Sequence, residues 1–102
     1  MLSRPLLALA GALALVVGTA SAAPIATGEM LANSCAGCHG TNGRISNSAF
    51  MPLAGMPQEQ FVRTMTDFRE GHRSATLMGH VAKGYSDEEL KAMAAFFASV
   101  KP

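Results

Sequence analysis

Apolar side chains recur with a helical period in the second half of the chain. Between Pro57 and Gly71, the residues Phe61, Met65 and Phe68 stand at positions i, i+4 and i+7, so they share one face of a helix. Proline suits the first position of a helix, and glycine suits the residue just past its end. The pattern therefore predicts an amphipathic helix that starts at Pro57 and ends before Gly71.

A second amphipathic helix is predicted near the end of the chain. Ser86 and Glu89 have the spacing of a capping box, and the acidic residues that follow Ser86 favour the positive start of a helix dipole. Lys101 falls at the negative end of this helix. The apolar stripe consists of Leu90, Met93, Phe97 and Val100.

The chain before Pro57 combines one helix with one long loop. Thr27 is a candidate N-cap for a helix that runs through the cysteines and stops at Gly40. Residues 41–55 are rich in Asn, Ser, Gly and Pro, and so long a loop in a small domain usually carries function or wraps a ligand. A further helical turn is expected near residues 77–84. No strand-like alternation occurs, so the predicted fold class is all-α, with three main helices.

The first 22 residues have the features of a secretory signal peptide. Arg4 precedes an apolar run from Leu6 to Val17, and Ala20-Ser21-Ala22 fits the small-x-small rule at a cleavage site. An uncleaved membrane anchor is the alternative, but the run is short for a spanning helix of roughly 20 residues. We expect cleavage after Ala22, a periplasmic domain over residues 23–102, and no stable membrane insertion afterwards.

Composition and charge exclude several classes of protein. The chain has 102 residues, which is enough for one domain. Loss of Arg4 with the signal peptide would leave seven basic and seven acidic side chains, so no basic surface for nucleic acid is expected. A domain of this size without tryptophan has a small core, and such domains usually need a disulfide, a metal or a larger cofactor.

The motif Cys35-Ala36-Gly37-Cys38-His39 contains both cysteines of the chain. A thioredoxin-like redox pair would need a βαβ context, which the helical pattern does not offer. A zinc site would need about four ligands, and only His72 and His80 remain, at no zinc-finger spacing. The third interpretation is covalent haem, with thioether bonds from Cys35 and Cys38 and with His39 as an axial ligand of the iron. We therefore predict one covalent haem c.

The other axial position of the iron requires a second ligand or remains open. Met78 is our prediction, because it lies between helices and Gly79 beside it lets the backbone approach the haem ring. A thioether is a soft neutral ligand that favours reduced iron. The alternatives are His80, which would lower the potential, and Met56. An open site would instead indicate a haem enzyme or a gas sensor.

These motifs together resemble class I cytochrome c. The resemblance runs over "CAGCH", "LAGM", "MGHVAKGYSDEEL" and "AAFF", which lie between about residues 27 and 100. It implies that the first helix crosses the last one, with Gly28 against Phe96 or Phe97. The family usually has a proline whose carbonyl holds the ligating histidine. That position is Met51 here and Pro52 follows it, which leaves open which carbonyl receives the ring N–H of the histidine.

The stretch from Ser74 to Ser86 is similar to the cytochrome subunits of flavocytochrome c sulfide dehydrogenases. This resemblance assigns the axial role to Met78 and implies an FAD-containing partner subunit that oxidises sulfide. The chain would be an electron-transfer subunit rather than an enzyme, passing each electron to a downstream acceptor. A free monomeric shuttle is the alternative. Candidates for contacts with the haem propionates are Arg44, Arg69, Arg73 and Tyr85.

Overall fold

The computed structural model describes Gly18, residues 27–46 and residues 49–102. Apart from Gly18, the predicted signal peptide and its cleavage site lie outside the described residues. Within them the chain forms helices and no strands, and the all-α fold class is confirmed. No helix in this part of the chain is both long and apolar enough to cross a membrane. The helices are α1 (Gly28–Ala32), α2 (Ala36–His39), α3 (Gln58–Glu70), α4 (Met78–Ala82) and α5 (Asp87–Ser99).

The cysteines lie in an N-terminal helical segment with a tight turn in its middle. Thr27 caps α1, because its side-chain oxygen accepts a hydrogen bond from the Met30 amide at 3.3 Å. A 3-10 turn over Asn33–Cys35 then joins α1 to α2. Gly40 ends the segment with φ at +83°, where a Cβ would meet the Arg44 carbonyl. The sequence predicted one continuous helix here and did not predict the turn.

Helix α3 presents the predicted apolar face but starts one residue later than expected. Pro57 is the N-cap, with ψ at 137°, and its carbonyl accepts from the Phe61 amide at 3.0 Å. Its extended backbone therefore lies outside the first helical turn. Gly71 ends the helix in the left-handed conformation, with φ at +77°. Phe61 and Met65 are buried and Phe68 is half-buried.

Helix α5 forms the centre of the core. The predicted capping box is present: the Glu89 amide donates to Ser86 Oγ at 3.2 Å, and the Ser86 amide donates to Glu89 Oε2 at 2.7 Å. Val100 and Lys101 lie beyond the helix end, because Val100 adopts an extended conformation. The buried residues of α5 are Leu90, Met93, Ala94 and Phe97.

The predicted crossing of the first and last helices is present, but Gly28 meets a different partner. The atoms nearest to a Cβ built on Gly28 belong to the backbone of Ala92 and Met93, with the Ala92 carbonyl oxygen at 2.1 Å. Phe96 and Phe97 do not contribute these nearest atoms, because the helix backbones themselves approach so closely. Glycine is therefore required for space at this crossing.

The long loop folds back on α5. The Gly43 carbonyl accepts from the amides of Leu53 and Ala54, at 2.9 and 3.1 Å. The Gly55 amide then donates to the Phe97 carbonyl at 2.8 Å. These bonds fix the loop residues on either side of Pro52 against the core.

Candidate functional site

An apolar cleft lies between the N-terminal helical segment, the loop, α3 and α4. Cys35, Cys38 and His39 form one part of its lining, which we call the attachment wall. Leu77, Met78 and Val81 form another part, which we call the α4 wall. The remaining lining residues are Ser34, Met51, Leu53, Met56, Phe61, Thr64, Met65 and Phe68.

The two cysteines reach the same cleft despite the turn between α1 and α2. Cys35 ends the 3-10 turn and is half-buried, whereas Cys38 lies in α2 and is exposed. No disulfide joins the two. Burial raises the pKa of the Cys35 thiol, and the nearby Ser34 hydroxyl opposes this rise. Two unpaired thiols side by side can each form a bond to one ligand that lies in the cleft.

His39 is held by a main-chain oxygen of the loop. Its Nδ1 lies 2.6 Å from the carbonyl oxygen of Met51, which can only accept, so Nδ1–H is the donor. The other ring nitrogen, Nε2, then carries the lone pair and can bind a metal. Phe50 packs its ring edge-on against the imidazole, with centroids 6.0 Å apart. The sequence left open which carbonyl receives the ring N–H of His39. It is the carbonyl of Met51, which stands at the position where the family has proline.

The α4 wall brings Met78 to the cleft and leaves His80 outside it. Met78 is half-buried at the start of α4. His80 is exposed and is not among the residues that line the cleft. Met56 and Met65 also line it, but both are buried in the hydrophobic core, at 9% and 5% exposure. Among the sequence candidates, the geometry therefore favours Met78 over His80.

The four propionate candidates do not line the cleft. Arg69 pairs with Asp87 at 2.7 Å, and Arg44 donates to the Lys101 carbonyl at 2.7 Å. The guanidinium of Arg73 lies 5.5 Å from the ring centre of Phe68. Each of these side chains already has a protein partner.

Sequence reasoning missed the partner of the fourth candidate, Tyr85. Its hydroxyl forms a hydrogen bond with Ser34 Oγ, across 51 positions of the chain. No local pattern marks such a pair, because the two residues meet only when the N-terminal segment packs against the turn before α5.

The donor set of the cleft fits haem c. Two thiols suit the two vinyl groups, an imidazole nitrogen suits the iron, and a thioether suits its other face. The surrounding lining is mainly aliphatic, aromatic and methionine side chains, which suit a large apolar ring. Within the described residues, no group of three or more His, Cys, Asp and Glu side chains could hold a metal ion by itself.

Known proteins with similar sequences include cytochromes, as the haem-binding donor set indicates. Residues 25–101 match the cytochrome c family. Over 73 residues the chain is 42% identical to the cytochrome subunit of sulfide dehydrogenase from Chlorobaculum tepidum, covering 72% of this chain and 66% of that protein. Over 69 residues it is 38% identical to the thiosulfate dehydrogenase electron acceptor of Stutzerimonas stutzeri, covering 65% of this chain and 32% of that protein.

A third relative is similar to the chain at lower identity. Over 81 residues the chain is 33% identical to cytochrome c4 of Pseudomonas aeruginosa, covering 79% of this chain and 40% of that protein. The chain thus spans 66% of the length of the first relative, and less than half of the other two. The resemblance and the cofactor predicted from the sequence are both confirmed. The chain belongs to the cytochrome c family, as an electron-transfer protein with one covalent haem c.

Proposed function

We propose that this cytochrome is an exported one-electron carrier that accepts electrons from a flavoprotein subunit, which itself oxidises sulfide. Two observations support the acceptor role. The residues predicted to bind the haem line one cleft. Two of the relatives are named as the cytochrome subunit of a sulfide dehydrogenase and as the electron acceptor of a thiosulfate dehydrogenase. Residues 1–22 would be the signal peptide, and residues 23–102 the haem domain in the periplasm.

The proposal assigns a role to each side chain of the site. Cys35 and Cys38 would bind the haem covalently, each thiol adding to one vinyl group. His39 would bind the iron through Nε2, and Met78 would bind it on the other face. The observation that carries this assignment is the 2.6 Å hydrogen bond from His39 Nδ1–H to the Met51 carbonyl, because it leaves Nε2 as the free ligand atom.

The protein contributes orientation and tuning. The bound haem iron supplies the one-electron chemistry by alternating between the ferric and ferrous states. The Met51 carbonyl fixes the plane of the His39 ring. It also makes Nε2 of that ring a stronger electron-pair donor to a metal. Met78 contributes a neutral thioether, and the apolar lining lowers the local dielectric. Both favour the less charged ferrous state and raise the reduction potential.

Co-purification from the native host tests the flavoprotein partner. The full chain with a C-terminal tag is passed over a sizing column, and the eluate is scanned for flavin beside haem. The proposal requires a larger species with flavin and haem near one to one, whose haem is reduced when sulfide is added. A small haem protein without flavin would contradict the fixed subunit.

A free shuttle is the second candidate, because one relative is named as an electron acceptor rather than a subunit. Such a carrier would elute alone and would be reduced by added thiosulfate dehydrogenase or by several other donors. The same column and the same spectra therefore separate the two functions.

A further inference from the structure

One hydrogen bond ties the chain beside the cysteines to the chain that follows the methionine. We propose that Tyr85 is a positioning residue, which holds α4, and with it Met78, against the haem-attachment segment through Ser34. This inference rests on the proposed role of Met78 as an iron ligand. It concerns how that ligand is kept in place.

The direction of the hydrogen bond follows from the protons available. The Ser34 hydroxyl has a single proton, and it donates that proton to the Leu31 carbonyl at 2.8 Å. Its oxygen therefore accepts, and the Tyr85 hydroxyl is the donor. The Tyr85→Phe substitution would keep the ring and lose only this donor.

Ser34 is joined directly to the part of the chain that binds haem. It precedes Cys35, and its Oγ lies 3.9 Å from the Cys35 Sγ. Once Cys35 is bonded to haem, Ser34 is held at a fixed place relative to the ring. A residue that is hydrogen-bonded to Ser34 is therefore held in place relative to the haem.

Tyr85 in turn holds the end of α4. Its amide donates to the carbonyl of Ala82, the last residue of α4, at 3.4 Å. Ala82 has no exposed surface. The Tyr85 carbonyl accepts from Arg69 of α3 at 3.4 Å. One residue thus connects α4 to α3 and to the attachment segment.

Helix α4 depends on such external contacts. It has five residues, and no side chain caps its first turn. A helix this short is not stable by itself, so its neighbours determine where Met78 lies.

Loss of the Tyr85 bond should therefore increase the fraction of molecules in which Met78 has left the iron. The expected increase is about fivefold, because one hydrogen bond of ordinary net strength is lost. External imidazole binds ferric iron only when that position is open, so its apparent affinity follows the open fraction.

The experiment titrates imidazole into the ferric full-length holo-cytochrome. The variants are Tyr85→Phe, Ser34→Ala and the two combined, each checked for covalent haem. Ser99→Ala is the matched control, because Ser99 loses only a local bond to the Phe96 carbonyl. Reduction potential and thermal unfolding are measured on the same samples.

The proposal requires that Tyr85→Phe binds imidazole about fivefold more tightly than the wild type and has a lower reduction potential. The double variant should bind imidazole no more tightly than the tighter-binding of the two single variants. Ser99→Ala should bind as the wild type does. Unchanged imidazole affinity in Tyr85→Phe overturns the proposal, even if the variant unfolds at a lower temperature.

A Met78→Ala arm separates this inference from the function on which it rests. If Met78→Ala binds imidazole far more tightly than the wild type and Tyr85→Phe does not, the ligand assignment stands and the positioning role is wrong. If Met78→Ala binds no more tightly than the wild type, the ligand assignment itself is wrong.

Discussion

The attachment wall and the α4 wall are specified in different ways. Cys35, Cys38 and His39 lie within five consecutive residues, so a local motif places all of their functional atoms. Met78 stands alone in its segment, and only the packing of α4 brings it to the cleft. The first wall can therefore be recognised from a motif, whereas Met78 was one of several sequence candidates and the fold shows which of them line the cleft.

The two walls also differ in how much packing holds them. His39 is fixed by a directional hydrogen bond, and α2 contains no buried residue. Helix α4 is fixed by packing as well as by the hydrogen bonds of Tyr85: Ala82 is fully buried, and a Cβ on Gly79 would lie 3.4 Å from the Phe68 carbonyl. Damage to the first wall should affect cofactor retention, and damage to the second should affect ligand exchange.

The largest effect is expected at the attachment wall. Replacement of both cysteines, Cys35→Ala with Cys38→Ala, removes both thiols that could bind haem, so no covalent haem should remain. Haem staining on a denaturing gel measures this directly. Cys38→Ala alone is the matched control and should retain staining through Cys35. Staining in the double variant would show that attachment occurs elsewhere.

At the α4 wall, Met78→Ala should open one face of the iron while the haem stays attached. The reduced variant should bind carbon monoxide readily, whereas the wild type should not, and its reduction potential should fall. Absorption spectra with and without the gas check this. Met30→Ala is the matched control, because Met30 is 64% exposed and lies outside the cleft. Equal binding by wild type and Met78→Ala would refute the assignment.

The crossing of α1 and α5 should be sensitive to a single methyl group. Gly28→Ala places a Cβ 2.1 Å from the Ala92 carbonyl oxygen, so the helices must separate. The free energy of unfolding should fall by about 2–3 kcal/mol. Gly37→Ala is the control, because nothing lies within 4 Å of its Cβ. Chemical denaturation of both holo-variants compares them, and equal stabilities would show that the crossing tolerates a side chain.

The smallest effect is expected at the start of α5, which lies outside both walls. Ser86→Ala removes one half of the capping box and should lower stability by about 1 kcal/mol. It should leave carbon monoxide binding unchanged, because neither wall loses a contact. Denaturant titration and the gas-binding assay distinguish these outcomes. A gain in gas binding would mean that the start of α5 also controls α4.

Local sequence determinants explain which parts of the fold were predictable. The Ser86 and Glu89 cap and the Gly71 stop act within a few residues, and both are found where the sequence placed them. The start of α3 differed by one residue, because Pro57 has the φ of a helix but an extended ψ. Proline fixes only the first of these angles.

Contacts between distant segments explain what was not predictable. The approach of Gly28 to Ala92 depends on the crossing geometry, whereas the family resemblance implied a crossing with Gly28 against Phe96 or Phe97. The pairing of Ser34 with Tyr85 joins two polar residues that each look like ordinary surface positions. Hydrophobic periodicity carries no information about such a pair.

The Met51 acceptor has a consequence for how mutational surveys of this cytochrome would be interpreted. The functional atom is a main-chain oxygen, so every residue type at position 51 supplies it. Met51 also lines the cleft, so a substitution there changes a side-chain contact but keeps the acceptor oxygen. Pro52 restricts its predecessor to extended conformations and so limits where that oxygen points. An alanine scan would therefore report only on the Met51 side chain, whereas replacing the carbonyl oxygen by sulfur, a weaker acceptor, would test the hydrogen bond itself.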